Sequence, residues 1–462
     1  MRVLVFIVFV SFLLAGCTTQ FRINAPLERY DPDYGYRLKD IAAPDRSEEL
    51  LLILTFSGGG TRAAALSYGV LSELARTRIA IDGQQRRLID EVDMISSVSG
   101  GSITAAYYGL FGDRIFEDFE SRFLKRNFDK GLSLQLLNPA NWARLVSAGF
   151  SRGDMAARYY DKHLFEGGTF GDIAARGGPA LLINATDIVL GAQFGFSQTQ
   201  FDWICSDLSK FPVARAVAAS SAVPVLFTAI TLRNYAGRCG FTAPSWFIDA
   251  LQSREVSTRR FQRADGLASY LDVTERPYIH LLDGGLADNL GLRSALDQVL
   301  LAGSAWNVLQ TAGLERTHKI VFVVVNAESE APTQWSQRKR APKMGGILNA
   351  ATTVTVSRYN FETLELLKQS SAKWAQDIRT NRCLQASGTA ASACGDIKFY
   401  LVEINFDALQ DKEERSFLKA TPTSFRLPAE VVDRLRDAGT QLLTESAVYR
   451  QLLRELRQAA TQ

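Results

Sequence analysis

Apolar residues fall along the chain in two kinds of run. Short blocks at Leu50 to Phe56, Val92 to Val98, Pro179 to Ile188, Gly195 to Phe201, Tyr278 to Leu282, Lys319 to Asn326 and Lys398 to Phe406 read as buried strands. Between and after them, apolar positions return at helical spacing over Arg62 to Arg76, Ser102 to Leu110, Pro212 to Ala222, 289–303, 344–378 and 429–458. Strands alternating with helices predict an α/β fold with a mostly parallel central sheet covered on both faces. The 112–178 block carries no strand signal and reads as a helical insertion over that sheet. No internal repeat or clean linker is visible. The chain therefore reads as one domain over 49–330, with a C-terminal α/β and helical extension, 331–462, packed on it.

The first 16 residues stand apart from this pattern. Met1-Arg2 gives a short positive end, and Val3 to Leu14 is apolar apart from Ser11. The stretch is too short for a comfortable membrane span and has the form of a secretory signal. Leu14-Ala15-Gly16-Cys17 resembles the bacterial lipoprotein signal, which implies cleavage before Cys17 and acylation of its thiol. Thr18, where an aspartate would retain the protein at the inner membrane, implies the outer membrane, facing periplasm or cell surface. Residues 17–48 are polar, with Pro26, Pro32 and Pro44, and read as a tether.

Composition adds limits. The chain has 462 residues, 47% hydrophobic and 22% charged, enough for a large core. A net charge of +3 gives no support to nucleic acid as a partner. Export to an oxidising compartment makes disulfides possible. Cys383 with Cys394 across a Ser/Ala-rich loop, and Cys205 with Cys239, is the favoured arrangement, although four cysteines permit three pairings. Cysteine spacing and only three histidines predict no metal site, and no cofactor is expected.

Three turns carry the candidate chemistry, each directly after an apolar strand, so that they can converge beyond the carboxyl ends of a sheet. Gly58-Gly59-Gly60-Thr61-Arg62 leaves backbone N–H groups uncovered at a helix start, which suits a phosphate cradle, an oxyanion hole or a plain tight turn. Ser97-Val98-Ser99-Gly100-Gly101 reads as a nucleophile elbow presenting Ser99, with Ser97 in place of the usual first glycine. Asp283-Gly284-Gly285 ends a strand with a carboxylate placed to reach a neighbouring turn. A triad would need one of His163, His280 or His318. His280 lies three residues from Asp283 in the same strand, so the two side chains face opposite sides, and it reads as a core histidine.

In this order the three turns resemble those of the patatin-like phospholipase family. Asn184-Ala185-Thr186-Asp187, the segment Ala218 to Pro224, and Asn289 match as well, and the resemblance covers roughly residues 50–300. Ala63 stands where the family often has a glycine. The resemblance implies a three-layer fold and hydrolysis of lipid acyl esters through a Ser–Asp dyad that needs no histidine. On that reading Ser99 is the nucleophile, Asp283 takes its proton, and the Gly58, Gly59 and Gly60 amides hold the oxyanion. Thr61, Arg62, Ser97, Gly100, Gly101, Gly284 and Gly285 support the motifs. The substrates would be membrane phospholipids or lysophospholipids. Acyl transfer to an alcohol, or a catalytically silent lipid-binding lipoprotein, are the alternatives. Trp335 with Arg338-Lys339-Arg340 reads as a solvated loop, and the 344–368 helix as core packing.

Overall fold

The computed structural model describes residues 24–37, 45–137, 150–224, 227–330, 337, 339, 344–385 and 396–459. Cys17, Trp335, Arg338, Arg340 and Cys394 lie outside them. Among the described residues ten strands form: β1 (Leu50–Phe56), β2 (Arg78–Ile81), β3 (Gln84–Arg87), β4 (Val92–Val98), β5 (Ala180–Asp187), β6 (Ala192–Gly195), β7 (Ile230–Arg233), β8 (Tyr278–Asp283), β9 (Lys319–Asn326) and β10 (Lys398–Asn405). β2 and β3 make a separate hairpin. The other eight form one sheet in the order β10-β9-β1-β4-β5-β8-β7, with β6 also paired to β5.

The central strands are buried because both faces are covered. In β1, Leu50, Leu52, Leu54 and Phe56 join the core on one side, while Leu51 and Ile53 join the core on the other. The first face carries helices α1 (Gly60–Arg76) and α2 (Ser99–Phe111), the insertion helix α3 (Arg152–Tyr160), and α4 (Val213–Ser220). The second is covered in part by α5 (Met344–Gln385), through Leu367 and Ile378, while Val354 and Phe361 of that helix stay exposed. The C-terminal α6 (Ala429–Glu445) packs on α1 at backbone distance: a methyl on Gly69 would strike the Arg436 carbonyl, and one on Gly439 the Leu66 carbonyl. Among the described residues, no helix is long and apolar enough to cross a membrane.

Sheet direction differs from expectation at one strand that matters. β10, β9, β1, β4 and β5 run parallel, but β8 is antiparallel to β5, as are β6 to β5 and β7 to β8. The Asp283 turn therefore does not leave the carboxyl edge with the other two; β8 enters from beyond that edge and stops inside it. Register then sets the height of every turn. Phe56 pairs with Ser97, so Gly58 lies level with Ser99. Val98 pairs with Asn184, so Ser99 lies level with Ala185, and Ala185 pairs with Asp283.

Part of that alignment comes from a bulge. Leu52 pairs with Val92 but Ile53 with Met94, leaving Asp93 as the extra residue. Its buried carboxylate accepts the Leu52 N–H at 2.7 Å and meets Arg46 at 3.4 Å. Without this insertion the glycine loop would sit one residue out of step with Ser99.

Other departures have local causes. The run Gly195 to Phe201 is strand only as far as Gly195, because the Ser197 hydroxyl accepts the Gln200 N–H and caps a short helix, Gln198–Asp202. Residues 24–37, read as tether, are docked: Leu27 and Tyr36 are buried, and Arg37 pairs with Asp202 at 2.7 Å. The Leu27 and Tyr30 N–H groups donate to the carbonyls of Cys205 and Cys239, which form a disulfide. Cys383 is also disulfide-bonded. Asp93→Ala removes the partner of a buried amide and of Arg46, and is expected to cost about 3 kcal/mol in urea unfolding. An unchanged midpoint would show that the bulge does not need its carboxylate.

Candidate active site

The elbow is built from close backbone approach. Ser99 is the first residue of α2 and has φ +49°, a left-handed value that is strained for a residue with a side chain. That turn presses the start of α2 against the glycine loop. A methyl on Gly100 would collide with the Gly60 carbonyl, and one on Gly101 would come within 2.7 Å of both Phe56 Cβ and the Ser57 carbonyl. Both positions therefore exclude side chains. Ser97 passes beneath, its carbonyl accepting the Asn184 side-chain amide at 3.1 Å.

The Ser99 hydroxyl donates to Asp283 Oδ2 at 2.9 Å, and the Gly285 N–H donates to Asp283 Oδ1 at 2.8 Å. Ser99 is 3% and Asp283 8% exposed. Burial pushes the Asp283 carboxyl up from its ordinary 3.8 to about 6, and the Gly285 and Ser99 hydrogen bonds only partly oppose it. The Asp283 carbonyl accepts the Thr186 hydroxyl at 2.8 Å, which fixes the end of β8 on β5. A methyl on Gly284 would strike the Asn184 carbonyl, so this turn too approaches backbone to backbone.

The glycine loop is narrower as a donor set than the sequence suggested. The Gly58 N–H is already used, donating to the Asn289 carbonyl at 3.1 Å. Among the described residues, the Gly59 and Gly60 N–H groups carry no such acceptor. These two lie at the start of α1, where φ values of +139° and +60° require glycine. Arg62 does not face the dyad with a free guanidinium. It is buried and donates to the carbonyls of Ala327 (2.8 Å) and Thr421 and to the Thr423 hydroxyl (3.2 Å), with burial lowering its pKa to about 10. Its role is to pin the loop. The Thr61 N–H bonds the Ser424 carbonyl at 2.9 Å, so the C-terminal region helps to seat the loop.

None of the three histidines bonds Ser99 or Asp283. His280 is exposed, not a core residue, and its Nδ1 lies 3.0 Å from the Thr231 hydroxyl; His163 packs on Tyr159. Among the described residues no acidic, cysteine and histidine cluster could hold a metal ion.

A family model described as patatin-like phospholipase matches residues 54–296. The chain belongs to the patatin-like phospholipase family. No curated protein sequence matches it. Similar solved structures include human GIVD cytosolic phospholipase A2, at 14% identity and TM-score 0.46, the match covering 92% of this chain and 65% of that one. The same human protein in complex with methyl γ-linolenyl fluorophosphonate matches at 12% and 0.42, covering 92% and 62%. The chain thus spans less than two thirds of the length of these structures.

Several residues at the site had no role from sequence. Ser220, Asn289, Tyr160 and Ser424 come from four separate stretches of chain; only the first two fell in matched motifs. The hydroxyls of Thr61, Tyr160 and Ser221 are buried without a hydrogen-bond partner among the described residues. The Tyr160 phenol is pushed upward by burial and then by the charges of Asp129 and Asp283.

Ionising Asp283 in place costs about 3 kcal/mol, from the difference between 3.8 and about 6. The native state holds this proton to higher pH than the unfolded chain does. The cost therefore sets in as pH rises from about 4 to about 6 and is complete above that. Asp283→Asn is expected to unfold at a higher temperature than wild type at pH 7.5, with the gain fading below pH 4. A loss of stability at pH 7.5 would contradict the burial account.

Proposed function

We propose that the protein is a serine acyl hydrolase that deacylates phospholipids or lysophospholipids through Ser99 and Asp283. The observation that carries this reading is the 2.9 Å hydrogen bond from the Ser99 hydroxyl to a carboxylate whose pKa stands near 6. A carboxylate at its ordinary pKa is a poor base towards an alcohol; desolvation makes Asp283 a stronger one and brings it closer to the working pH.

Ser99 Oγ attacks the ester carbonyl carbon while its proton passes to Asp283. The carbonyl oxygen becomes an oxyanion, held by the Gly59 and Gly60 N–H groups, and such donors are worth about 3 kcal/mol each in the transition state. The tetrahedral intermediate collapses, the ester C–O bond breaks, and Asp283 returns the proton to the leaving alcohol oxygen. Water then attacks acyl-Ser99, Asp283 takes its proton, and the second collapse returns that proton to Ser99 and releases the fatty acid. Tyr160, whose hydroxyl is buried without a hydrogen-bond partner among the described residues, packs on Phe425, and Phe425 on Phe227.

Ser99→Ala and Asp283→Asn are each expected to lower turnover of a phospholipid by at least about 1,000-fold with the fold retained, while His280→Ala and His318→Ala keep it. Mass spectrometry of lipid products from wild type and Ser99→Ala reads the reaction directly: free fatty acid with lysolipid is the expected product pair. A folded histidine variant without turnover would sink the dyad. The rate of acylation should fall as pH drops below about 6, because Asp283 becomes protonated and can no longer accept.

We also propose that Cys17 anchors the chain to the outer membrane, on the support of the Leu14-Ala15-Gly16-Cys17 box. Cells expressing the chain should incorporate labelled palmitate into it, and Cys17→Ser should abolish that labelling. Incorporation that survives the substitution would rule out Cys17 as the anchor.

A further inference from the structure

Ser220 is the last residue of α4 and is fully buried. Its hydroxyl both accepts and donates a hydrogen bond. It accepts the Ser99 N–H at 2.8 Å and donates to the Asn184 carbonyl at 2.6 Å. We infer that this hydroxyl is the positioning group for the nucleophile, standing in for a missing rung of the sheet, an assignment that rests on the proposed role of Ser99.

The Phe196 N–H donates to the Ile183 carbonyl on the β6 side of β5, so the next carbonyl, that of Asn184, faces β4. Val98 pairs with Asn184 in a parallel register. In an uninterrupted parallel ladder the donor to the Asn184 carbonyl would be the Ser99 N–H itself. Instead the Ser220 hydroxyl lies between the two, bonded to both. Inserting it lets β4 leave the ladder one residue early while no buried amide or carbonyl goes unpaired. That is the point at which Ser99 turns to φ +49°.

The same residue holds the other half of the dyad. The Ser220 carbonyl accepts the Gly284 N–H at 3.1 Å, and two residues on the Ala222 carbonyl accepts the Asp283 N–H at 3.0 Å. One residue thus ties the nucleophile through its side chain and the base's turn through its backbone. Ser220 touches neither the transferred proton nor the reacting ester; it sets the separation across which the proton moves. Its loss is expected in the rate of acylation and not in substrate affinity, because misplacing a reacting group by about 1 Å can cost on the order of 100-fold.

The test is fluorophosphonate labelling of the purified full chain, with the rate and the end-point both recorded. Ser220→Ala should label about 10- to 100-fold more slowly yet still reach one label per molecule, with KM for a soluble short-chain ester within about twofold of wild type. A merely structural role would lower the end-point, by reducing the fraction of folded enzyme, and leave the remainder labelling at the wild-type rate. That result, or an unchanged rate, overturns the assignment. If Ser220→Ala does not fold, Ser220→Cys keeps the shape while weakening both hydrogen bonds, and a wild-type rate in it has the same force. Wild-type protein that takes no label at Ser99 would instead overturn the proposed function.

Discussion

Asp283 is a carboxylate held almost out of reach of water, with one hydroxyl and one backbone N–H for company. Such burial opposes ionisation, and most features of the site are arranged around tolerating it. The strand that carries Asp283 is tied down by Thr186, its turn by the carbonyls of Ser220 and Ala222, and its second oxygen by the Gly285 amide. Those contacts limit the rearrangements by which a buried acid could escape to solvent. What remains is a carboxylate that is relieved by taking up a proton. Stability lost at one residue and basicity gained there are the same free energy.

The neighbouring backbone is shaped by a second constraint, closeness. Three turns from distant parts of the chain meet at van der Waals distance or less of where a β-carbon would be: Gly100 on Gly60, Gly101 on Phe56 and Ser57, Gly284 on Asn184. Side chains are excluded, so that backbone, and not methyl groups, borders Ser99 and Asp283. The same economy recurs away from the site, where Gly69 and Gly439 let α6 lie against α1. The C-terminal region thereby reaches back to the glycine loop, seating Thr61 through Ser424 and anchoring Arg62 through Thr421 and Thr423.

Much of this was legible in the chain. The strand blocks at 50–56 and 319–326 stand where nearly unbroken apolar runs placed them, because a strand covered on both faces is apolar at almost every position. Glycine clusters after strands marked all three turns, since only glycine tolerates such contact. Less legible were the docked segment 24–37, whose hold depends on the Cys205–Cys239 disulfide and Asp202, and the direction of β8. A buried strand of five or six residues looks the same in either direction. Nor does the run 92–98 announce that Asp93 will be a bulge.

The sequence by itself determined the chemical parts: a serine between small residues, an aspartate before two glycines, a glycine-rich helix start, and too few histidines to make a triad persuasive. These are local properties, set by which residues can adopt a turn or approach another backbone. Tertiary structure alone decided how the parts are used. It spent the Gly58 amide on Asn289 and left Gly59 and Gly60, turned Arg62 from a charge into a clasp, and brought β8 in against the direction of its neighbours. It also placed Ser220, a residue from a helix end, between two strands. Each of these depends on register and burial, which are relations between segments far apart in the chain, and no single segment carries them.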